Sequence, residues 1–205
     1  MKNFFLILVA VLFFHACDFG MGASSLPRLG QHKIDKETGD TTYHTIPDFQ
    51  FINQDSMEVT NETFKGKVYI VDFFFTSCPT ICPKTAQQML RLYKRYEDDD
   101  RVSLLAHSID TKRDTVARLK EYANSLEVSA PKWHFVTGNK AEIYEIADDY
   151  MSIAIEDPDA PGGFDHSGWF ILIDENRYIR SFCNGTDPES VDKFMKDIDW
   201  LLENM

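Results

Sequence analysis

The chain has 205 residues, which suits one folded domain behind a short leader and allows a substantial core. It carries 33 acidic and 21 basic residues, for a formal net charge of −12. Because nucleic-acid binding needs lysine and arginine to neutralise phosphates, so acidic a chain is not expected to bind nucleic acid.

The first 16 residues have the features of a secretory signal. The apolar run Phe4–Phe14 is too short for a comfortable membrane span, which needs about 20 apolar residues. Ala16 directly precedes Cys17, as in a bacterial lipoprotein signal whose cysteine is lipidated and becomes the new N-terminus. We predict a lipoprotein-type signal peptide over 1–16, lipidation of Cys17 and a flexible tether over 17–31. Ordinary signal cleavage and an uncleaved anchor are the alternatives.

The predicted domain covers residues 32–205 and begins with an extension. Short extended pieces surround a turn at Thr38–Asp40, and Phe49–Ile52 is a predicted strand. A run rich in Val, Ile and Phe starts at Val68 and predicts a buried strand that ends near Thr76.

Pro83 stands where a helix begins, because its fixed φ and missing donor cost nothing there. Apolar residues then recur at helical spacing from Met89 to Tyr96. The later elements are strand Val102–Ile109, a helix capped by Asp114 or Thr115, strand Trp133–Val136, a helix opened by Asn139, a loop over Asp157–Gly163, strand Gly168–Ile173 in a hairpin with Tyr178–Cys183, and a last helix capped by Asp187.

This order predicts an α/β fold. We expect a central mixed β-sheet flanked by helices, with an N-terminal extension and a C-terminal hairpin plus helix. A dithiol at the end of the first core strand, before a long helix, is the thioredoxin arrangement, so the predicted fold is thioredoxin-like.

Cys78 and Cys82 lie at this strand-to-helix junction with three residues between them. Free N–H groups and the positive end of a helix dipole lower the pKa of a thiol at such a place. A thiolate is both a nucleophile and a metal ligand, so the pair suits redox chemistry or a soft metal. Two thiolates under-coordinate most metals, so a metal site needs a third ligand.

His166 is the histidine best placed to supply that ligand. It follows a Gly-Pro loop, and we expect it on an irregular segment that reaches the cysteine edge of the sheet. We expect His107 and His134 to be satisfied core or edge residues, and Cys183 to pack in its strand as a small hydrophobe. The remaining histidines lie in the leader or the extension: His15, His32 and His44.

Two thiolates and an imidazole form a soft, trigonal set that suits Cu(I) and, with a longer or additional ligand, Cu(II). Zinc is the competing metal, but a structural zinc site normally has a fourth protein ligand.

Three segments together resemble the Sco/SenC family, whose members are thioredoxin-fold copper proteins that help to assemble the copper centre of cytochrome c oxidase. The segments are Phe73–Pro83, Ser108–Thr115 and Asp165–Ser167, within a similarity over about 47–204. The resemblance implies that Cys78, Cys82 and His166 are copper ligands and that the cysteine pair is a redox-active dithiol. Asp110, Arg113 and Asp114 match a family segment beside the site, and we expect them to form supporting structure in a solvated charged turn.

The resemblance implies a membrane-tethered copper chaperone for Cu(I) or Cu(II), exported and facing the periplasm or another extracytoplasmic space. Its partners would be the copper-accepting subunit of cytochrome c oxidase, thiol-disulfide oxidoreductases and, through the N-terminal lipid, a membrane. The alternative is a thiol-disulfide reductase that keeps the copper-site cysteines of an oxidase subunit reduced.

A peroxiredoxin-type peroxidase is disfavoured because Phe75 stands where that family has threonine. A structural disulfide between Cys78 and Cys82 would close a small loop and stabilise little.

Overall fold

The computed structural model describes residues 25–205. The predicted signal peptide, Cys17 and the first part of the tether lie outside the described residues. The strands of the described part are β1 (Lys33–Ile34), β2 (Thr41–Thr42), β3 (Gln50–Asn53), β4 (Glu58–Thr60), β5 (Val68–Phe74), β6 (Val102–Ser108), β7 (Trp133–Thr137), β8 (Ala154–Glu156), β9 (Phe164–His166), β10 (Trp169–Ile173) and β11 (Ile179–Asn184). The helices are α1 (Cys82–Arg95), α2 (Val116–Ser125), α3 (Lys140–Asp149) and α4 (Pro188–Glu203), with short 3-10 turns at Asn61–Phe64 and Pro161–Gly163.

Seven strands form the central sheet in the order β11-β10-β5-β6-β7-β3-β4. β5, β6 and β7 run parallel, and their neighbours on both sides are antiparallel to them. The sheet is therefore mixed, as predicted, and the thioredoxin-like fold is confirmed. Because parallel neighbours end at the same edge, the residues after β5 and β6 lie close together, which places the cysteine pair beside Asp110 and Asp114.

β5 and β6 are buried along their whole length, as expected for a strand covered on both faces. On one face Tyr122 of α2 stacks on Phe74, and α1 is joined to α4 by ion pairs. On the other face Tyr150, which ends α3, packs against Phe73 and its hydroxyl hydrogen-bonds to the Tyr69 hydroxyl. Alternating side chains of β5 thus enter two separate layers of the core.

The predicted helix caps are present in three places. Thr115, Asn139 and Asp187 each accept a backbone N–H of the following turn with a side-chain oxygen. The strands of the C-terminal hairpin end within a residue of the predicted positions. Local sequence therefore sets these boundaries.

The extension is more ordered than the sequence indicates. β1 and β2 flank the predicted turn, while β4 and the 3-10 turn after it are additional to the prediction. Leu29 pairs with Ile179, and Leu26 packs against the core. The division at residue 31 between tether and domain stays a prediction. Over residues 25–205 no helix combines the length and apolarity needed to cross a membrane.

Candidate metal centre

The turn that carries Cys78 is fixed at its start by a buried carboxylate. Asp114 is fully buried and accepts hydrogen bonds from the Thr76 amide at 2.9 Å and the Thr76 hydroxyl at 2.6 Å. The Ser108 hydroxyl, at the end of β6, donates to the same carboxylate at 2.6 Å. The end of β6 therefore holds the first residues of the cysteine turn in place.

The expectation that Asp110, Arg113 and Asp114 form a solvated turn is wrong for both carboxylates. Asp110 is 3% exposed and Asp114 is fully buried, while the Arg113 side chain remains exposed. Their burial has a physical reason, since each carboxylate has partners that compensate for its lost hydration.

His166 lies on a short strand and not on an irregular segment, which corrects the prediction. β9 pairs antiparallel with β8, so that Ala154 lies opposite His166. Alternation along β9 turns Phe164 and His166 inward and leaves Asp165 exposed. The hairpin was missed because β8 has only three residues and becomes a strand only through its pairing.

The structure brings together the three residues predicted to bind a metal. The Nε2 atom of His166 lies 3.6 Å from the Cys78 sulfur and 3.5 Å from the Cys82 sulfur, and all three atoms lie within 4.8 Å of one another. With metal–sulfur and metal–nitrogen bonds of about 2.3 and 2.0 Å, a trigonal ion would hold sulfur and nitrogen about 3.7 Å apart. The side chains therefore fit one ion with little movement.

The two thiols have different acidities because they share one proton. The Cys82 thiol donates a hydrogen bond to the Cys78 sulfur, which lowers the pKa of Cys78 and raises that of Cys82. His166 and the backbone N–H groups of Thr80 and Cys82 lower the pKa of Cys78 further. The predicted lowering of the thiol pKa holds for Cys78, where the neighbouring thiol is its largest cause, and is wrong for Cys82, whose pKa the same neighbour raises.

The other predicted candidates lie outside this group. His107 is buried among aromatic rings, and neither of its ring nitrogens has a hydrogen-bond partner. It is therefore a core residue, as predicted, but its hydrogen-bonding groups are not satisfied. One His134 nitrogen contacts the Asn53 amide at 3.0 Å, and the other has no partner. Cys183 is buried in β11, as expected.

The two extension histidines bind main-chain atoms. The His44 ring contacts the Asp149 carbonyl at 2.7 Å, and the His32 ring contacts the Arg28 carbonyl at 2.9 Å and the His44 amide at 3.1 Å. The His44 contact fastens the extension to α3, while the His32 contacts lie within the extension.

Within residues 25–205, this Cys-Cys-His group is the only set of three or more His, Cys, Asp or Glu side chains close enough together to hold a metal ion. Two sulfurs and one imidazole nitrogen are soft ligands, and they match the preferences of copper. A structural zinc site normally adds a fourth protein ligand. The geometry and the donor types therefore fit copper better than zinc.

A family model and several solved structures that resemble this chain all point to the same family. The family model described as SCO1/SenC matches residues 37–203. The chain is similar to a SCO1/SenC family lipoprotein from Bacillus anthracis str. Ames, at 26% identity and a TM-score of 0.70, over 77% of this chain and 95% of that one. It is also similar to BsSco, described as a member of the Sco family of cytochrome c oxidase assembly proteins with a disulfide switch, at 29% identity and a TM-score of 0.67, over 76% and 92%. The copper-bound ScoI of Bradyrhizobium japonicum is 26% identical, with a TM-score of 0.64 over 77% and 99%.

Proposed function

Because this chain belongs to the SCO1/SenC family, we propose that it is a copper chaperone that helps to assemble the copper centre of cytochrome c oxidase. Cys78 and Cys82 bind copper as thiolates, and His166 completes the site. The observation that carries the proposal is the convergence of two sulfurs and one imidazole nitrogen within 4.8 Å. A copper-bound relative of similar fold supports the choice of metal.

The protonation and burial of the three ligands prepare the site to bind copper. Cys78 is held as a thiolate, so one sulfur binds without first losing a proton. Cys82 gives up the shared proton when it binds, which makes copper binding release a proton at neutral pH. Both sulfurs and the imidazole are nearly buried, so water competes weakly for the ion.

Release to a partner follows from the same ligands. A partner thiolate can enter the open side of a three-ligand site while one of the two cysteines leaves. Copper then moves through intermediates with shared thiolates, and no covalent bond to the partner is needed. Oxidation of Cys78 and Cys82 to a disulfide would remove two ligands and stop Cu(I) binding.

A second function, reduction of disulfides in the partner, is favoured by the proton shared between the thiols. The Cys78 thiolate would attack a partner disulfide and release one partner thiolate. Cys82 would then lose its proton and attack the Cys78 sulfur, releasing the second partner thiolate and leaving a Cys78–Cys82 disulfide. An external thiol-disulfide oxidoreductase would reduce that disulfide again.

We propose further that the protein is exported and held at a membrane through lipid on Cys17. A SCO1/SenC relative is described as a lipoprotein, and this supports the assignment. Cys17→Ala should abolish membrane retention in fractionated cells if the lipid is the anchor. Membrane association that survives this change would point to the uncleaved apolar run Phe4–Phe14 instead.

The two functions separate in one experiment with a soluble copper-accepting domain of an oxidase subunit. The copper-loaded protein is mixed with the reduced, copper-free acceptor, and the reduced protein is mixed with the oxidised acceptor. Copper transfer in the first mixture supports the chaperone. Acceptor reduction in the second, with no transfer in the first, would establish the reductase and contradict the chaperone. His166→Ala should impair the first reaction and spare the second.

A further inference from the structure

No hydrogen bond holds the His166 ring from its far side, away from the two cysteines. Its Nε2 atom faces the two cysteine sulfurs, while its Nδ1 atom is buried without a partner. Metal-binding histidines usually donate from the second ring nitrogen to a carboxylate, carbonyl or water, which fixes the ring. On the Nδ1 side, the orientation of His166 therefore depends on packing around the hairpin that carries it.

Phe75 supplies that packing surface. It follows β5 directly, and its ring centroid lies 5.5 Å from that of His166, edge to face, and 5.0 Å from that of Phe164. Gly162 covers the other part of the ring, since a Cβ there would lie 2.8 Å from the Phe75 Cε2 atom. Gly162 also has a φ of +83°, which favours glycine. The loop and strand before His166 thus rest on the residue that leads into the cysteine turn.

Arg113 ties the same loop to the end of β6. Its Nε atom lies 2.5 Å from Oδ2 of Asp110, which is 3% exposed, although the Arg113 side chain is 58% exposed. Its Nη2 atom donates to the Gly162 carbonyl at 3.4 Å, and its guanidinium carbon lies 5.9 Å from the centroid of Phe164. One cation therefore links a buried carboxylate to the loop before β9 and to β9 itself, which carries His166.

We propose that Arg113 is a positioning residue that holds the His166 hairpin against the cysteine turn and so sets whether the site has three ligands or two. The inference rests on the proposed copper site and goes beyond it. Loss of the link leaves the cysteine turn intact, because Asp114 holds that turn separately through Thr76. Arg113 thus affects the imidazole ligand and not the dithiol.

The test compares the Arg113→Gln variant with the unchanged protein in copper titrations of the reduced state. Arg113→Gln should weaken Cu(II) binding by about tenfold, the lower end of the effect of removing an outer-shell partner. Its sulfur-to-copper bands should shift, while Cu(I) stoichiometry and cysteine alkylation stay as in the unchanged protein. Lys140→Gln is the matched control, because Lys140 pairs with Glu156 of the same hairpin at 2.6 Å through an exposed contact. It removes the same charge and should leave copper affinity unchanged.

Two further variants keep the inference testable if Arg113→Gln does not fold with Asp110 unpaired. Arg113→Lys keeps a cation for Asp110 but lacks the planar fork that reaches Gly162, so an intermediate loss of Cu(II) affinity is expected. Gly162→Ala should reproduce the loss by pushing the loop off Phe75. If every variant that folds binds Cu(II) with an affinity within twofold of the unchanged protein, the role of Arg113 is overturned. Failure of the unchanged protein to bind copper would instead overturn the proposed function.

Discussion

Asp72 should make the folded protein less stable as the pH rises. It lies in the middle of β5, buried among aromatic side chains, and its Oδ1 atom has no hydrogen-bond partner. Burial raises its pKa from 3.8 to about 7. Cys82 and Tyr122, which line the same small cavity, also have raised pKa values and stay neutral at pH 7. The folded state therefore keeps a proton that the unfolded state has lost.

The sign and size of the effect follow from this difference. Between pH 3.8 and about 7 the unfolded state binds fewer protons, so the free energy of unfolding falls as pH rises. At about 1.4 kcal/mol per pH unit, the loss is about 4 kcal/mol by pH 8 and about 2 kcal/mol at pH 5. Asp72→Asn has no such ionisation. Its stability relative to the unchanged protein should therefore rise by about 2–3 kcal/mol between pH 5 and pH 8.

Urea unfolding of the reduced, metal-free protein, followed by tryptophan fluorescence, measures this difference directly. Any constant cost of placing an amide in the core is the same at both pH values and cancels. Parallel stability profiles for the variant and the unchanged protein would refute the reasoning, because they would mean that Asp72 has the same pKa in the folded and unfolded states.

Three further predictions concern other buried groups. Burial lowers the pKa of His107 from 6.5 to about 3, so the stability that depends on its neutral ring is lost as pH falls through this range; His107→Phe should flatten that acid limb in urea unfolding. Because the pKa of Cys78 is lowered, its alkylation by iodoacetamide should change less than twofold between pH 8 and pH 6, whereas the rate for an ordinary thiol falls about tenfold per pH unit below about 8.5. Asp114→Asn weakens the bonds to Thr76 and Ser108 and should lower the unfolding free energy by about 1–3 kcal/mol, measured by urea unfolding at pH 7. An acid limb that stays equally steep in His107→Phe, a Cys78 alkylation rate that falls about tenfold per pH unit between pH 8 and pH 6, or an unchanged unfolding free energy in Asp114→Asn would contradict the corresponding assignment.

Sequence predicted most accurately those features that depend on local signals. The buried strand β5 is rich in Val, Ile and Phe, and a nearly continuous apolar run is typical of a strand buried on both faces. Asn139 and Asp187 cap helices because a side-chain oxygen reaches a backbone N–H two residues later. Such contacts span one turn and need no knowledge of the rest of the fold.

Features that depend on distant segments were predicted less well. β8 is a strand only because β9 pairs with it, and its three residues carry no strong signal of their own. Asp110 and Asp114 were predicted to be solvated because the groups that bind their carboxylates cannot be identified from sequence alone. The link from Arg113 to the loop before His166 joins segments about 50 positions apart, and only the folded chain brings them together.

Copper titration of the reduced protein, followed by absorption spectroscopy and metal analysis, tests the central claim most directly. The account predicts one copper per chain, with intense sulfur-to-Cu(II) charge-transfer bands that weaken or shift in the His166→Ala variant while its thiols remain reactive. Absence of stable copper binding by the unchanged protein, with a readily reducible Cys78–Cys82 disulfide, would contradict the copper site and leave disulfide reduction as the function.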